Sequence, residues 1–366
     1  MSVDASVETV LVMAGGTGGH VFPALAVAGA LQDRGVAVQW LGTARGIEAR
    51  VVPAAGITLH TLPVQGIRGK GLLSRITALV KAMQSLLSAV VLIGRIKPIC
   101  VIGLGGYVAG PGGLAAWLTR TPLLIHEQNA VPGTTNRLLA RFARRILTGY
   151  PVALGGDKAV HIGNPVRADI SLLPAPETRC AERDRLRLLV LGGSQGALAI
   201  NRAVTQTVAQ LPKGLALDVW HQTGAAHIEA MNEAYRNARI DADISIRAEA
   251  FIDNMAEAYA WADVVLCRAG ALTVAELTAA GVASWLVPLP QAIDDHQRAN
   301  ARWLEEHGAG EILEQSSLSV ELLTEKLMGA AKNRGALLQM ATAARQLAKP
   351  DAAAVAAGYC LEVAHG

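Results

Sequence analysis

The chain alternates short, uninterrupted apolar runs with longer stretches of helical spacing. The runs of the first half are "VAVQWLG", "CVIGLGG", "PLLIHEQ" and "RRILTGY", and those of the second half are "LALDVWHQTG", "ISIRAEAFI", "ADVVLCRAG" and "ASWLVPLP". A run without polar alternation indicates a strand that is covered on both faces, which is typical of a parallel sheet wrapped by helices. The pattern therefore predicts the α/β class, with Rossmann-like, doubly wound parallel sheets.

One strand–turn–helix pattern occurs near the start of each half. It reads "VLVMAGGTGGHVFPALAVAGAL" from Val10 to Leu31 and "RLRLLVLGGSQGALAINRAV" from Arg185 to Val204. The chain has 366 residues, about twice a typical domain. We therefore expect two similar domains that face a cleft, with ligands bound at the carboxyl ends of the strands.

A turn at "GNP" marks the expected domain boundary. We predict an N-terminal domain over residues 1–164 and a C-terminal domain over residues 165–345. Residues 346–366 form a last helix after the break at Pro350, and the sequence allows it to pack on either half, including back on the N-terminal domain.

Residues 67–97 combine helical apolar spacing with one-sided charge. A helix packed on the sheet explains the apolar positions, whereas an amphipathic segment on an anionic membrane surface explains the charge as well and is the sharper hypothesis. The segment contains no Asp or Glu. Its apolar positions are Leu72, Ile76, Leu79, Met83, Leu87 and Val90, and its basic residues are Arg68, Lys70, Arg75, Lys81, Arg95 and Lys97.

Composition narrows the possible classes of protein. A net charge of +3 suits an anionic partner, while 4% aromatic residues argue against base stacking and a nucleic-acid partner. The four cysteines form no CxxC pair, so reduced core thiols are expected and neither a zinc cage nor a disulfide framework. The N-terminal residues lack the pattern of a signal peptide, and no apolar run reaches the roughly 18–20 residues of a membrane span. We expect a soluble chain.

The glycine turns suggest anion binding without matching a known fingerprint. Neither "GGTGGH" nor "GGSQGA" fits the dinucleotide pattern or the P-loop, and the acidic residue expected for a ribose is absent. Glycines at a helix start still let backbone N–H groups approach an anion. A third cluster, Gly103–Gly113, adds to this interpretation. The alternative is that the glycines only tighten strand–helix turns.

Several polar residues have both a functional and a structural interpretation. His20 at the opening of its helix is either a neutral base or a hydrogen-bonded structural histidine. Glu276, about one turn into a helix, either accepts from a ribose diol or pairs with the helix dipole. Gln297 either contacts sugar hydroxyls or caps a helix, and we reject a metal at Asp241 and Asp243.

Seven motifs together resemble the MurG family of GT-B glycosyltransferases. In chain order they are "GGTGGHVFPALAVA", "GGYVAGP", "HEQNAVPG", "GNPVR", "GGSQGA", "RAGALTVAE" and "DDHQRANA". The resemblance covers nearly the whole chain. Ala283 and Ala275 depart from the proline and serine that the family often has, and neither touches the proposed chemistry.

The resemblance implies an inverting hexosyltransferase. It would move GlcNAc from UDP-GlcNAc to the MurNAc 4-hydroxyl of lipid I, giving lipid II for peptidoglycan synthesis. UDP-GlcNAc would be a substrate, and neither a cofactor nor a metal is implied. The C-terminal domain would bind UDP-GlcNAc. The N-terminal domain would bind the acceptor and face the cytoplasmic side of the inner membrane, where family members are peripheral. The closest rival is a UDP-GlcNAc 2-epimerase of the same fold, and a non-catalytic nucleotide-sugar binder is the rival from another class.

The resemblance also implies site residues. The general base would be His20 or Glu127, and the sequence does not rank them. Contacts to the donor would come from Thr17, Gly18, Gly19, Asn129, Arg167, Ser194, Ile252, Ala271, Leu272, Thr273, Val274, Ala275, Glu276 and Gln297. Contacts to the acceptor would come from Gly16, Gly105, Gly106 and Tyr107.

Overall fold

The computed structural model describes residues 8–63, 72–179, 184–192, 197–290 and 295–366, with residues 72–79 described by their backbone alone. The chain forms two compact units. The first contains Met1–Arg167 and Lys349–Gly366, and the second contains Ala168–Ala348. The division thus falls after Arg167, whereas the sequence analysis placed it after Asn164.

A seven-stranded parallel sheet forms the centre of the first unit. Its spatial order is β3-β2-β1-β4-β5-β6-β7. The order changes direction between β1 and β4, and β1 pairs in parallel register with both β2 and β4. The strands are β1 Thr9–Met13, β2 Ala37–Gly42, β3 Thr58–Thr61, β4 Cys100–Gly103, β5 Leu123–Glu127, β6 Arg145–Thr148 and β7 Ala159–His161.

Helices cover both faces of this sheet. Their bounds are α1 Gly18–Gln32, α2 Glu48–Ala54, α3 Leu72–Ile96, α4 Ala109–Leu118 and α5 Thr134–Leu139, with α15 Ala352–His365 added from the end of the chain. Side chains of α1 and α15 share one apolar core with Val10, Val12 and Trp40. Side chains of α3, α4 and α5 share a second core with Leu11 and Met13. Alternate residues of β1 therefore point into different cores, as a doubly covered strand requires.

The second unit repeats this plan with six parallel strands. Its order is β10-β9-β8-β11-β12-β13, and the direction changes between β8 and β11. The strands are β8 Leu186–Leu191, β9 Leu217–Gln222, β10 Ile244–Glu249, β11 Val264–Cys267, β12 Ala283–Leu286 and β13 Glu311–Ile312. The helices are α6 Ala168–Ser171, α7 Pro176–Arg179, α8 Leu198–Val208, α9 Ile228–Asn237, α10 Met255–Trp261, α11 Ala271–Ala280, α12 His296–Glu306, α13 Val320–Lys332 and α14 Arg334–Gln346.

The predicted class, with two parallel α/β domains, is confirmed. Each apolar run named above contains a strand, and the two glycine-turn patterns begin with β1 and β8. Three strands were not predicted, namely β3, β7 and β13. They lie at sheet edges, have two to four residues and contain no fully buried position, so they lack a continuous apolar run.

The last helix belongs to the first unit. Ala356, Ala357, Cys360 and Val363 of α15 are buried in the core that α1 shares. Cys100, Cys267 and Cys360 are buried and free, as predicted, and Cys180 lies outside the described residues. Among the described residues, no helix combines the length and the apolar character that crossing a bilayer requires.

Helix α3 has two apolar faces where the sequence analysis expected one. Ser85, Ala89, Leu92 and Ile93 face the protein. The exposed face carries a second apolar row, formed by Val80, Met83, Leu87 and Val91. The predicted row thus mixed the two faces, because it joined exposed Met83 and Leu87 with half-buried Val90. The other residues predicted for this segment lie outside the part of the chain that the structure describes. They are Arg68, Lys70 and the side chains of Leu72, Arg75, Ile76 and Leu79.

Candidate functional site

Two glycine loops meet where the strand order of the first unit changes direction. One follows β1 and the other follows β4. A Cβ on Gly106 would lie 2.2 Å from the Gly15 carbonyl oxygen, and a Cβ on Gly105 would lie 2.6 Å from Cδ2 of His20. Both Gly105 and Gly106 have positive φ, of 104° and 85°. Only glycine fits both the backbone conformation and the close approach, so the second loop lies directly against the first loop and its imidazole.

His20 is the third residue of α1, at the helix opening that the sequence predicted. Thr17 Oγ1 lies 3.4 Å from His20 Nδ1, and α1 has no acidic residue in its first turn. Burial is the largest cause that lowers the pKa of His20, while Glu127, a backbone hydrogen bond with Gly15 and Glu48 oppose it. The imidazole is therefore neutral near pH 7. Desolvation of the ring, and not its place at the opening of the helix, is the main cause of this lowered pKa.

Glu127 is the last residue of β5, and its carboxylate is 2% exposed. Oε1 accepts hydrogen bonds from the Asn129 N–H at 2.9 Å and from Asn129 Nδ2 at 3.3 Å. Oε2 accepts from the Gly133 N–H at 2.9 Å and from Asn136 Nδ2 at 2.8 Å. Both oxygens are thus occupied in bracing the segment that follows β5.

A second acidic residue, Glu48, was not predicted. It is the first residue of α2 and is 0% exposed. Its carboxylate accepts from the Gly16 N–H at 3.0 Å, so it lies beneath the first glycine loop. The sequence signal was weak, because a glutamate in a first helical turn is ordinarily explained by the helix dipole.

The remaining first-unit candidates lie in three places. Tyr107 follows the second glycine loop and is exposed. Asn129 is held by Glu127, as described above. Arg167 is the last residue of the unit's N-terminal segment, and its guanidinium lies 5.8 Å from the centre of the Phe22 ring of α1. Five of the donor contacts that the resemblance implies therefore belong to the first unit. They are Thr17, Gly18, Gly19, Asn129 and Arg167.

The corresponding position of the second unit is the start of α11, directly after β11. Gly270 precedes the helix in an extended conformation, with no side-chain cap and no acidic residue in the first turn. By contrast, Asn254, Ser319 and Asn333 cap α10, α13 and α14 with their side chains. The first N–H groups of a helix have no intrahelical acceptor, so α11 presents an electropositive end. Residues Ala271–Ala275 form this first part of the helix.

Glu276 lies on the following part of α11 and is buried. The hydroxyl of Tyr259, a fully buried residue of α10, donates to Glu276 Oε2 at 3.0 Å. This hydrogen bond fixes one carboxylate oxygen in place. Tyr259 is a second residue that sequence reasoning missed, since it lies 17 positions before its partner.

The remaining candidates of the second unit are Ile252, Gln297 and Ser194. Ile252 is buried in the segment between β10 and α10. Gln297 lies in the first turn of α12, and its Oε1 accepts from the Leu289 N–H at 3.0 Å. Ser194 lies outside the described residues.

Metal ligands form no cluster in the described ranges, where no group of three or more His, Cys, Asp or Glu side chains could hold an ion. Asp241 and Asp243, whose metal role was rejected, form a local turn. The Asp243 N–H donates to Asp241 Oδ1 at 3.0 Å.

Both units match known domain models. Residues 10–148 match the glycosyltransferase family 28 N-terminal domain, and residues 187–355 match the glycosyltransferase family 28 C-terminal domain. The two parallel sheets, with two glycine loops at the switch point of the first, and these matches define a two-domain glycosyltransferase.

Full-length relatives narrow the class further. The chain is 53% identical over 356 residues to the UDP-N-acetylglucosamine–N-acetylmuramyl-(pentapeptide) pyrophosphoryl-undecaprenol N-acetylglucosamine transferase of Alkalilimnicola ehrlichii, covering 97% of this chain and 99% of that relative. The crystal structure of Acinetobacter baumannii MurG is 41% identical, with a TM-score of 0.81 and coverage of 97% of this chain and 99% of that one. The chain therefore belongs to the MurG family of glycosyltransferases.

A UDP-GlcNAc 2-epimerase from Neisseria meningitidis is also similar in structure. It is 11% identical, with a TM-score of 0.66 and coverage of 97% of this chain and 100% of that one. At this identity the likeness concerns the fold alone.

Proposed function

We propose that the protein transfers GlcNAc from UDP-GlcNAc to the MurNAc 4-hydroxyl of lipid I, with inversion, and so forms lipid II. The observation that carries this proposal is the 53% identity, over 97% of the chain, to a transferase of that specificity. The neutral His20 beside two glycine loops is consistent with a displacement in which an acceptor hydroxyl loses its proton.

Of the two candidate bases, we assign the role to His20. The four hydrogen bonds to Glu127 use both of its oxygens, and they leave it a bracing role. The imidazole of His20 is neutral, as a proton acceptor must be. A positioned base of this kind contributes about 10²–10⁴-fold to the rate. The loops at Gly16, Gly105, Gly106 and Tyr107 are assigned to the acceptor.

The donor is assigned mainly to the second unit. We place its diphosphate at the start of α11, its ribose diol at Glu276 and its uracil at the backbone of Ile252, with Gln297 near the sugar. Arg167 and Ser194 would contact the diphosphate, and Thr17, Gly18, Gly19 and Asn129 the transferred sugar. Charge on the leaving UDP is then stabilised by helix N–H groups and a guanidinium. We propose that no divalent ion is needed, so a chelator should leave turnover unchanged.

The exposed face of α3 is proposed as the membrane contact. Val80, Met83, Leu87 and Val91 form one apolar row on the helix surface, and Lys81, Arg95 and Lys97 lie on the same helix and just beyond its end. Such a surface binds anionic lipid by apolar burial and by charge attraction. We therefore propose a peripheral location on the cytoplasmic face of the inner membrane.

Purified protein supplied with UDP-GlcNAc and a lipid I analogue tests the proposal. We expect release of UDP only when the acceptor is present, together with a disaccharide product. Release of UDP or isomerisation of the sugar without acceptor would instead identify a 2-epimerase. Binding of UDP-GlcNAc with no reaction would identify a non-catalytic binder.

A further inference from the structure

We propose that Glu48 is a positioning residue for the transfer reaction, because it fixes the first glycine loop in the shape that presents His20 to the acceptor. The inference rests on the proposed function, in which His20 is the base. It extends that function to a residue that touches neither substrate.

Three hydrogen bonds hold the Glu48 carboxylate. Oε2 accepts from the Gly16 N–H at 3.0 Å, and Oε1 accepts from the Thr43 N–H at 3.0 Å and the Thr43 hydroxyl at 2.6 Å. None of the ion pairs seen among the described residues involves Glu48. A buried charge with no counter-charge is costly unless it is hydrogen-bonded, so these neutral donors are essential to its presence.

The surrounding backbone leaves room for this carboxylate and for little else. A Cβ on Gly15 would lie 2.6 Å from Oε1, and a Cβ on Gly46 would lie 2.0 Å from Oε2. A Cβ on Gly42 would lie 2.9 Å from Cγ of the same side chain. Three glycines, one from the loop after β1, one at the end of β2 and one in the loop that follows β2, thus close around one carboxylate. An apolar residue would fill such a space without the cost of burying charge, which indicates that the charge or its acceptors are needed.

The position of Gly16 links Glu48 to His20. Gly16 has a φ of 94°, and the next residue, Thr17, directly precedes α1. The His20 N–H donates to the Thr17 carbonyl at 3.1 Å. The Glu48–Gly16 hydrogen bond therefore sets the path of the chain immediately before the helical turn that carries the imidazole.

Charge provides a second link. Glu127 and Glu48 are the two carboxylates that raise the pKa of His20 against the effect of burial. Removing the Glu48 charge should therefore lower the pKa of His20 further. This effect separates a positioning role from simple support of the fold, which would leave the pH dependence unchanged.

Glu48→Gln tests the proposal in the full-length protein. The glutamine has one acceptor oxygen for three donors on two sides, so at least one hydrogen bond is lost. Because misplacing a reacting group by about 1 Å can cost about 10²-fold, we expect kcat with a lipid I analogue to fall at least tenfold. We also expect the dissociation constant of UDP-GlcNAc to stay within about twofold of wild type, because the donor is assigned mainly to the other unit. The acid limb of the pH profile of kcat/KM should move to lower pH.

Two further variants make the outcome decisive. Glu48→Asp keeps the charge but shortens the side chain, so kcat should fall while the acid limb stays near that of wild type. This variant also tests the positioning role if Glu48→Gln does not fold. Thr43→Val removes one donor and leaves the bond to Gly16, so it should lower thermal stability with little change in kcat.

The proposal is overturned if kcat of Glu48→Gln follows only the folded fraction and the acid limb does not move. It is equally overturned if Thr43→Val matches Glu48→Gln in kcat. Failure of the proposed function is a separate result, because wild-type protein would then form no disaccharide.

Discussion

The lowered pKa of His20 allows the pH dependence of the reaction to be predicted. Burial lowers its pKa from 6.5, and the opposing carboxylates are Glu127 and Glu48. A base accepts a proton only in its neutral form, so activity should be lost only as the pH falls through this lowered pKa. We expect the midpoint of the acid limb of kcat/KM to lie below pH 6.5, measured with UDP-GlcNAc and a lipid I analogue. A midpoint above that value would contradict the assignment.

Removal of the imidazole gives the matching test. His20→Ala should lower kcat about 10²–10⁴-fold and abolish the acid limb, while UDP-GlcNAc binding measured by calorimetry stays near wild type. His60→Ala is the control, since His60 lies in the same unit but bonds to Gln39 and is not among the groups that shift the pKa of His20. Near-normal turnover of His20→Ala would remove His20 from the role of base.

Tyr259 supports a second residue-scale prediction. Its hydroxyl donates to Glu276 at 3.0 Å, and Glu276 is assigned to the ribose diol. Loss of one such hydrogen bond costs roughly 1 kcal/mol, so Tyr259→Phe should raise the KM for UDP-GlcNAc about fivefold with kcat little changed. A donor with a 2′-deoxyribose should show a smaller difference between the two proteins. An equal loss with both donors would mean that Tyr259 supports the fold and not the ribose contact.

Helix α3 has apolar side chains both on the face that packs against the protein and on the face exposed to solvent. Met83 is 52% exposed and Leu87 is 58% exposed, while Leu92 and Ile93 on the same helix are buried. Each apolar side chain that enters a membrane contributes about 1.5–3 kcal/mol. Met83→Glu with Leu87→Glu should therefore weaken binding to anionic vesicles at least about tenfold, as measured by sedimentation, and leave the melting temperature nearly unchanged.

Leu172→Glu is the matched control for this surface. Leu172 is an exposed leucine of the second unit, so its substitution should leave vesicle binding intact. If the double variant binds vesicles as wild type does, α3 is not the membrane contact.

The elements also explain how far the sequence could be used for prediction. Strands buried on both faces, such as β4 and β11, are uninterrupted apolar runs, which is the pattern of a parallel sheet covered by helices. Edge strands such as β3 are half exposed and therefore lack this signal. The glycine loops could be located because each follows such a strand.

The bracing residues of the site could not be found in the same way. Glu48 reaches Gly16 across 32 positions, and Tyr259 reaches Glu276 across 17. Neither spacing corresponds to a local motif, because the contact arises only when helices pack on the finished sheet. Their neighbours in sequence indicate no more than a helix start and a helix interior.

The first of the two units is built from two segments that are far apart in the chain. Helix α15 follows the entire second unit, yet its residues complete a core of the first unit together with Val10 and Trp40. The first unit therefore cannot be complete until the last residues of the chain have been placed. This arrangement predicts that damage to the C-terminus reduces the stability of the acceptor-side unit and not that of the donor-side unit.

Ala357→Glu tests this prediction, because it places an unpaired charge at a fully buried position of α15. Such a charge costs about 3–5 kcal/mol, so amides of β1 and β4 should lose protection in hydrogen exchange. Amides of β8 and β11 should keep theirs, and UDP should still bind. Val355→Glu, on the exposed side of the same helix, should behave as wild type. Equal loss of protection in both sheets would show that the units unfold as one cooperative body, in which case the C-terminal helix stabilises the whole chain.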